Sequence, residues 1–229
     1  MGEMGLSFDD LINELVRAND IQSFCNNHSI STLMHFTRIE NLDTILEHGL
    51  LTRERLEEPD QKITPTFNDS LRLDNVKASV SLSISFPNYK MLYKYRCSAR
   101  GDWAVLLLHA NLLWELDCLF CHSNAASNQI RDVPFDERRK IGALIFLFQD
   151  YHPNQRKSLD IPDSYPTDPQ AEVLVLDAVP PTYISELHFF SSLSWQNWKT
   201  MSRINHNLPI NCQSPYFSPR CDWLYWTVS

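Results

Sequence analysis

Glycine is scarce in this chain, five residues in 229, and there is neither a GxGxxG run nor a GxxxxGK[ST] loop. Phosphate binding on a glycine-rich turn of a doubly wound sheet is therefore excluded. Long hydrophobic runs are missing too. The longest apolar stretches, Ala104–Leu108 and Ala143–Phe148, are far too short to span a bilayer. The N-terminus MGEMGLSFDDLINELV is acidic and amphipathic, unlike a basic region followed by an apolar one, so a cytoplasmic location is expected. Cations are outnumbered, 20 Lys and Arg against 28 Asp and Glu, for a net charge of −8. Non-specific nucleic-acid affinity comes mainly from cations on phosphate, so any such contact has to be local. The six cysteines are scattered and, without a secretory signal, read as reduced thiols. Cys118-Leu119-Phe120-Cys121-His122 formally matches CxxCH, but haem attachment requires export. A zinc site is rejected as well, because no second CxxC or HxxxH closes a tetrahedron. Core thiols and no bound metal are the expectation.

What is present has the organisation of one large domain over 1–229, with an N-terminal helical extension over 1–30 and a C-terminal extension over 191–229. Phe8, Leu11, Ile12, Leu15 and Val16 recur at helical spacing behind a capping Ser7. Thr32–Thr37 is a short apolar strand. Thr37-Arg38-Ile39-Glu40 has the form of a capping box, opening a helix with the buried stripe Leu42, Ile45 and Leu46. Gly49 stands where a left-handed C-terminal cap is wanted. Leu51–Ala78 is polar and proline-broken, a loop of the length usually reserved for function. Val80–Phe86 is a strand stopped by Pro87, and NYKMLYKYR over 88–96 a short helix. Trp103–His109, Ala143–Phe148, Ala171–Leu176 and Tyr183–Phe189 are expected strands, and Ser191–Ile204 a helix. The loop Asp150–Gln170, with four prolines, leads straight into Ala171–Leu176. Short strands that do not alternate with helices predict an α+β fold with antiparallel or mixed sheet.

Three residues stand out at strand ends or edges: His35, Tyr93, and Glu172, the single carboxylate inside AEVLVL. Around them lie HFTRIENLDTILEHGLL (35–51), RLDNVKASVSLSISFPNYKMLYKYR (72–96), SNAAS (123–127) and DPQAEVLV (168–175). In these blocks, and in their order, the chain resembles the DarT family of bacterial toxins, enzymes that attach ADP-ribose from NAD to bases of single-stranded DNA. The first and last blocks are the most specific. The resemblance implies an ADP-ribosyltransferase fold, two small sheets facing each other across an NAD cleft.

Cleaving NAD builds positive charge on the ribose, so the enzyme must hold the nicotinamide half and favour a cation beside it. The resemblance gives His35 a ribose hydroxyl and the backbone of Phe36 the carboxamide, with Thr37 and Asn41 meeting the dinucleotide at the helix start. Tyr93 would stack on the nicotinamide ring, with Tyr89 and Tyr95 as rivals on the same segment. Glu172, on the open face of an edge strand or else held in a cleft, would bind the ribose 2′-hydroxyl and accept the acceptor's proton. Arg72 would clamp the pyrophosphate and support catalysis, with Arg53 and Arg55 as rivals. Lys90, Lys94, Tyr95 and Arg96, and in the second loop Arg156, Lys157 and Tyr165, interleave cations with aromatics as a single strand requires.

The function expected is that of a toxin transferring ADP-ribose to single-stranded DNA, partnered by a macrodomain antitoxin and using NAD as co-substrate. RLDx…SLSISFPNYKM resembles the guanine-modifying branch. Thymidine modification, transfer to RNA or protein, NAD hydrolysis by water, and a catalytically idle binding module are the alternatives.

Overall fold

The computed structural model describes residues 7–57, 76, 78–98, 101–150 and 155–227. Among the described residues there are seven strands: β1 (Thr32–Arg38), β2 (Val80–Ile84), β3 (Trp103–His109), β4 (Cys118–Cys121), β5 (Glu172–Val175), β6 (Ile184–Phe189) and β7 (Ile210–Cys212). They lie in the order β4-β5-β2-β1-β3-β6-β7, antiparallel throughout except for the parallel β6–β7 pair.

The joint in this sheet matters most. β1 pairs with β3 along its whole length, from Thr32↔His109 to Arg38↔Trp103. Against β2 it pairs only at Leu33↔Ile84 and Met34↔Ser83. The sheet is thus two half-sheets, β4-β5-β2 and β1-β3-β6-β7, that separate beyond Met34. The two facing sheets expected from the sequence are these halves, and the cleft opens where they part.

β3, β4 and β5 read as nearly unbroken apolar runs because both of their faces are covered. On β3, Ala104, Leu106 and Leu108 enter the main core, while Trp103, Val105 and Leu107 join Met34 and Leu92 in a second cluster. The main core is closed by Ile21 and Cys25 of the first helix, Leu144 and Leu147, and Trp198. Cys118 and Cys121 are fully buried in β4, as core thiols, and none of the six cysteines is in a disulfide. Among the described residues, no helix is long and apolar enough to cross a membrane.

Several local expectations need correction. Ala143–Phe148 is not a strand; it lies in and just after the helix Ile141–Phe146. Its buried positions are Leu144, Leu147 and Phe148, with Ile145 and Phe146 exposed, the i, i+3, i+4 spacing of a helix. The Thr37 capping box does not form either. Thr37 belongs to β1, and its hydroxyl accepts from Asn41 Nδ2 at 3.1 Å. The capping box is found at Ser7 instead, where Ser7 Oγ accepts from Asp10 N and Asp10 Oδ2 from Ser7 N. Behind it the helix runs on to Asn27. Its predicted stripe of Leu11, Ile12, Leu15 and Val16 is exposed, and Ile21 and Cys25 are the residues that bury.

Candidate active site

A cavity of about 550 Å³ lies in the cleft, within the size range of small-molecule sites. Its walls are β1 from Met34 to Thr37, Ser79 with Val80, Ser81 and Ser83 of β2, the helix Tyr89–Ser98, and the segment around Gly49, with Asn124, Gln170 and Glu172 also lining it. His35 and Glu172 stand on strands either side of β2. His35 Nδ1 is 3.1 Å from the Ser81 carbonyl oxygen, a contact that suits the Nδ1–H tautomer and links the half-sheets just past their last pair. Thr37 and Asn41 share the hydrogen bond already described, and both line the cavity.

Glu172 is not on an edge. β5 runs between β4 and β2, and the residue is 8% exposed. Its Oε2 accepts from the Ala125 amide at 2.9 Å. That amide is aimed by an Asx turn, in which Asn124 Oδ1 accepts from Ala126 N at 2.9 Å. The SNAAS segment therefore seats the carboxylate. A buried carboxylate seated by the Ala125 amide and opening on a cavity is suited to stabilising a nearby cation.

The Tyr93 assignment does not fit the geometry. Tyr93 is 66% exposed and absent from the cavity wall, whereas Met91, Lys94 and Tyr95 line it. At 100° per residue, Met91 and Tyr95 share one helix face, and Tyr93 lies about 200° from each. Tyr95, the rival, is half-buried, its ring stacked on Trp103 at 6.0 Å with 7° between planes. Phe36 packs into the same aromatic cluster, 6.2 Å from Tyr95. Arg72 lies outside the described residues. Of its rivals, Arg53 lines the cavity and is paired to Glu57 Oε1 at 2.7 Å. Arg55 faces Asp177 at 3.4 Å with its side chain half exposed.

The expected DNA contacts divide. Lys90 and Lys94 line the cavity, and Lys90 Nζ donates to the Trp226 carbonyl at 2.8 Å. Lys157 is exposed. Arg96 is half-buried and already engaged, donating to the Phe217 carbonyl at 3.0 Å and covering the Phe190 ring at 4.1 Å. Arg156 holds its own loop, donating to the Tyr165 carbonyl at 2.8 Å and Thr167 Oγ1 at 3.1 Å. Tyr165 is not an open platform: its ring packs 5.5 Å from Phe86 and lies 5.9 Å from the Arg220 guanidinium.

Arg220 is the residue that sequence reasoning missed. Only 2% exposed, it pairs with Asp222 at 2.6 Å. It also donates to the carbonyls of Pro166 and Thr167, each at 2.8 Å. Arg156 and Arg220 thus pin the loop leading to Glu172. No local pattern announces the role of Arg220, because its carbonyl partners lie 54 and 53 residues away along the chain.

Comparison with known proteins agrees with the fold. A Thermosipho africanus DarTG in complex with ADP-ribose is 20% identical with a TM-score of 0.57, covering 81% of this chain and 50% of its own, so this chain spans half its length. A Thermus sp. 2.9 DarT in complex with NAD+ is 18% identical with a TM-score of 0.53, covering 81% of this chain and 96% of its own. The same DarT in complex with ADP-ribosylated single-stranded DNA is 17% identical with a TM-score of 0.56, covering 82% and 97%. No curated protein matches by sequence. A family model described as ssDNA thymidine ADP-ribosyltransferase, DarT, matches residues 34–218, from the strand that bears His35 to beyond the strand that bears Glu172, and on that match the chain belongs to the DarT family.

Proposed function

We propose that this protein transfers ADP-ribose from NAD to a base of single-stranded DNA, with Glu172 as its catalytic carboxylate. The observation that carries the reading is the seating of Glu172: buried on an interior strand, held by the Ala125 amide, and open to a cavity that His35 also lines. In the proposed reaction the bond between ribose C1′ and the nicotinamide nitrogen breaks. Its electron pair leaves with the ring, which becomes neutral. Positive charge gathers on the ribose beside Glu172, a nucleophilic atom of the base closes on C1′, and the base proton passes to a carboxylate or to water. His35, Phe36, Thr37 and Asn41 hold the nicotinamide riboside half in this scheme. Tyr95 and Met91 take the ring-side position first given to Tyr93, and Arg53 joins Arg72 as a cation for the pyrophosphate. Lys90, Lys94 and Lys157 meet the strand.

We assign guanine as the acceptor base, on the resemblance of RLDx…SLSISFPNYKM to the guanine branch. Thymidine is the second reading, favoured by the match to a family of ssDNA thymidine ADP-ribosyltransferases. We further propose a cytoplasmic toxin countered by a macrodomain antitoxin, a reading supported by the structural likeness to a DarTG. The test uses NAD with short oligonucleotides that each lack one base, read by the ADP-ribose mass shift. Modification should require guanine and fall on duplex, where stacking and pairing hide the base. Equal rates with and without guanine refute the base assignment. Free ADP-ribose without modified DNA refutes transfer altogether. Glu172→Gln keeps the hydrogen bond to Ala125 and loses the charge; its rate should fall by about 10²-fold or more at unchanged melting temperature.

A further inference from the structure

Among the described residues, Asn88 Nδ2 is the buried, unpartnered side-chain atom that belongs to a residue of the cavity wall. Asn88 is 2% exposed, and its other polar atoms are engaged. Its backbone N–H donates to Ser83 Oγ at 3.2 Å, its Oδ1 accepts from Met91 N at 3.1 Å, and its carbonyl accepts from Leu92 N at 3.0 Å. The contact between Oδ1 and Met91 N caps the helix Tyr89–Ser98, and it also decides which way the amide faces. Turning the amide over would set its NH2 group against the Met91 N–H, donor against donor. Nδ2 cannot leave its place without giving up the cap. A buried donor without a partner is uncommon and destabilising, and the penalty disappears when a ligand supplies an oxygen.

The surroundings indicate which oxygen. Asn88 is bonded to Ser83, and Ser83 pairs across the sheet with Met34, the residue before His35. Asn88, Ser83, Met91 and Met34 all line the cavity beside the strand proposed to hold the nicotinamide. We infer that Asn88 Nδ2 donates a hydrogen bond to the carboxamide oxygen of NAD, making Asn88 a further substrate-positioning residue; the inference rests on the proposed NAD reading. The amide does two jobs at once, its oxygen ordering the helix that carries Met91 and Tyr95 and its nitrogen recognising the leaving group.

Two substitutions separate these jobs. Asn88→Ser retains a capping oxygen and removes Nδ2, whereas Asn88→Ala removes both. The full chain and its variants are titrated with NAD and with ADP-ribose, which lacks the carboxamide, and their melting temperatures are measured. Asn88→Ser should melt with the parent, bind ADP-ribose with the parent, and lose about tenfold in NAD affinity. Asn88→Ala should show the same NAD loss and also melt lower. An unchanged NAD affinity in Asn88→Ser overturns the inference and leaves Asn88 as a cap alone. An equal loss for NAD and ADP-ribose overturns the carboxamide assignment. A parent that binds neither ligand defeats the NAD reading itself, and the inference with it. Should Asn88→Ser fail to fold, Asn88→Thr, a neutral capping side chain that also lacks the amide nitrogen, carries the same comparison.

Discussion

Gly49 closes the helix Leu42–His48 with φ +84° and ψ −175°, and alanine there should be costly for two separable reasons. The positive φ was expected of a left-handed cap, but this ψ lies in an extended region open essentially to glycine, where another residue bears about 1–3 kcal/mol of strain. The second reason is space. A Cβ at Gly49 would overlap the Val179 carbonyl oxygen and stand 3.1 Å from Val179 C and 3.2 Å from Pro180 Cα. These are backbone atoms, so no side chain can turn aside. That carbonyl also accepts from Leu50 N at 2.9 Å, and Val179 N donates to the Leu50 carbonyl at 2.8 Å. Relieving the overlap stretches this two-bond bridge, at about 1 kcal/mol per bond. Together the costs reach about 3–5 kcal/mol, a large part of the roughly 5–15 kcal/mol that holds a domain folded. At about 2–4 °C per kcal/mol for a chain of this size, Gly49→Ala should lower the melting temperature by about 6–20 °C. Gly49, Leu50 and Leu51 line the cavity, so NAD affinity should fall too, and Gly49→Asp should be no better. Thermal melting and NAD titration of the purified variant check both effects. A Gly49→Ala protein that melts within about 2 °C of the parent, where the strain alone requires more, would refute the argument.

Tyr93→Ala should leave NAD binding and melting nearly unchanged, because the ring stands in solvent, whereas Tyr95→Ala should impair both; the reverse order in a paired titration would restore Tyr93 to the site. Arg220→Met leaves the buried Asp222 without its cation, only Trp226 Nε1 still donating to it at 2.8 Å, and should cost about 3–5 kcal/mol in urea unfolding, with a loss under about 1 kcal/mol showing that the clasp is dispensable. The pKa values of His122, His188 and His206 are lowered from their ordinary 6.5, burial being the largest cause in each. The unfolded chain therefore takes up protons first as pH falls through that value, and stability should decline between about pH 7.5 and 5.5; a melting temperature that holds or rises over this interval would contradict it.

The sequence by itself determined the elements whose pattern is local. Leu33 and Met34, and Ala104 through Leu108, were legible as strand because a strand covered on both faces must be apolar at every position. Glu172 was legible as a site because a lone carboxylate in such a run has to be explained. The positive φ of Gly49 was legible because few other residues tolerate it. What failed were inferences for which one stretch of chain holds two answers. The run from Ala143 to Phe148 suits a strand or a helix until the partners of Leu144 and Leu147 are known, and a Thr-x-x-Glu spacing caps a helix only if β1 ends before it. Tertiary structure alone decided the rest. The face of the helix Tyr89–Ser98 that meets the cavity follows from how Leu92 packs under β1 and β3, and this sets Tyr95 inside and Tyr93 outside. Arg96, Arg156 and Arg220 are alike as letters. Whether a guanidinium reaches solvent or the carbonyls of Phe217, Tyr165 and Pro166 depends on segments up to 121 residues away, whose approach no short-range pattern encodes.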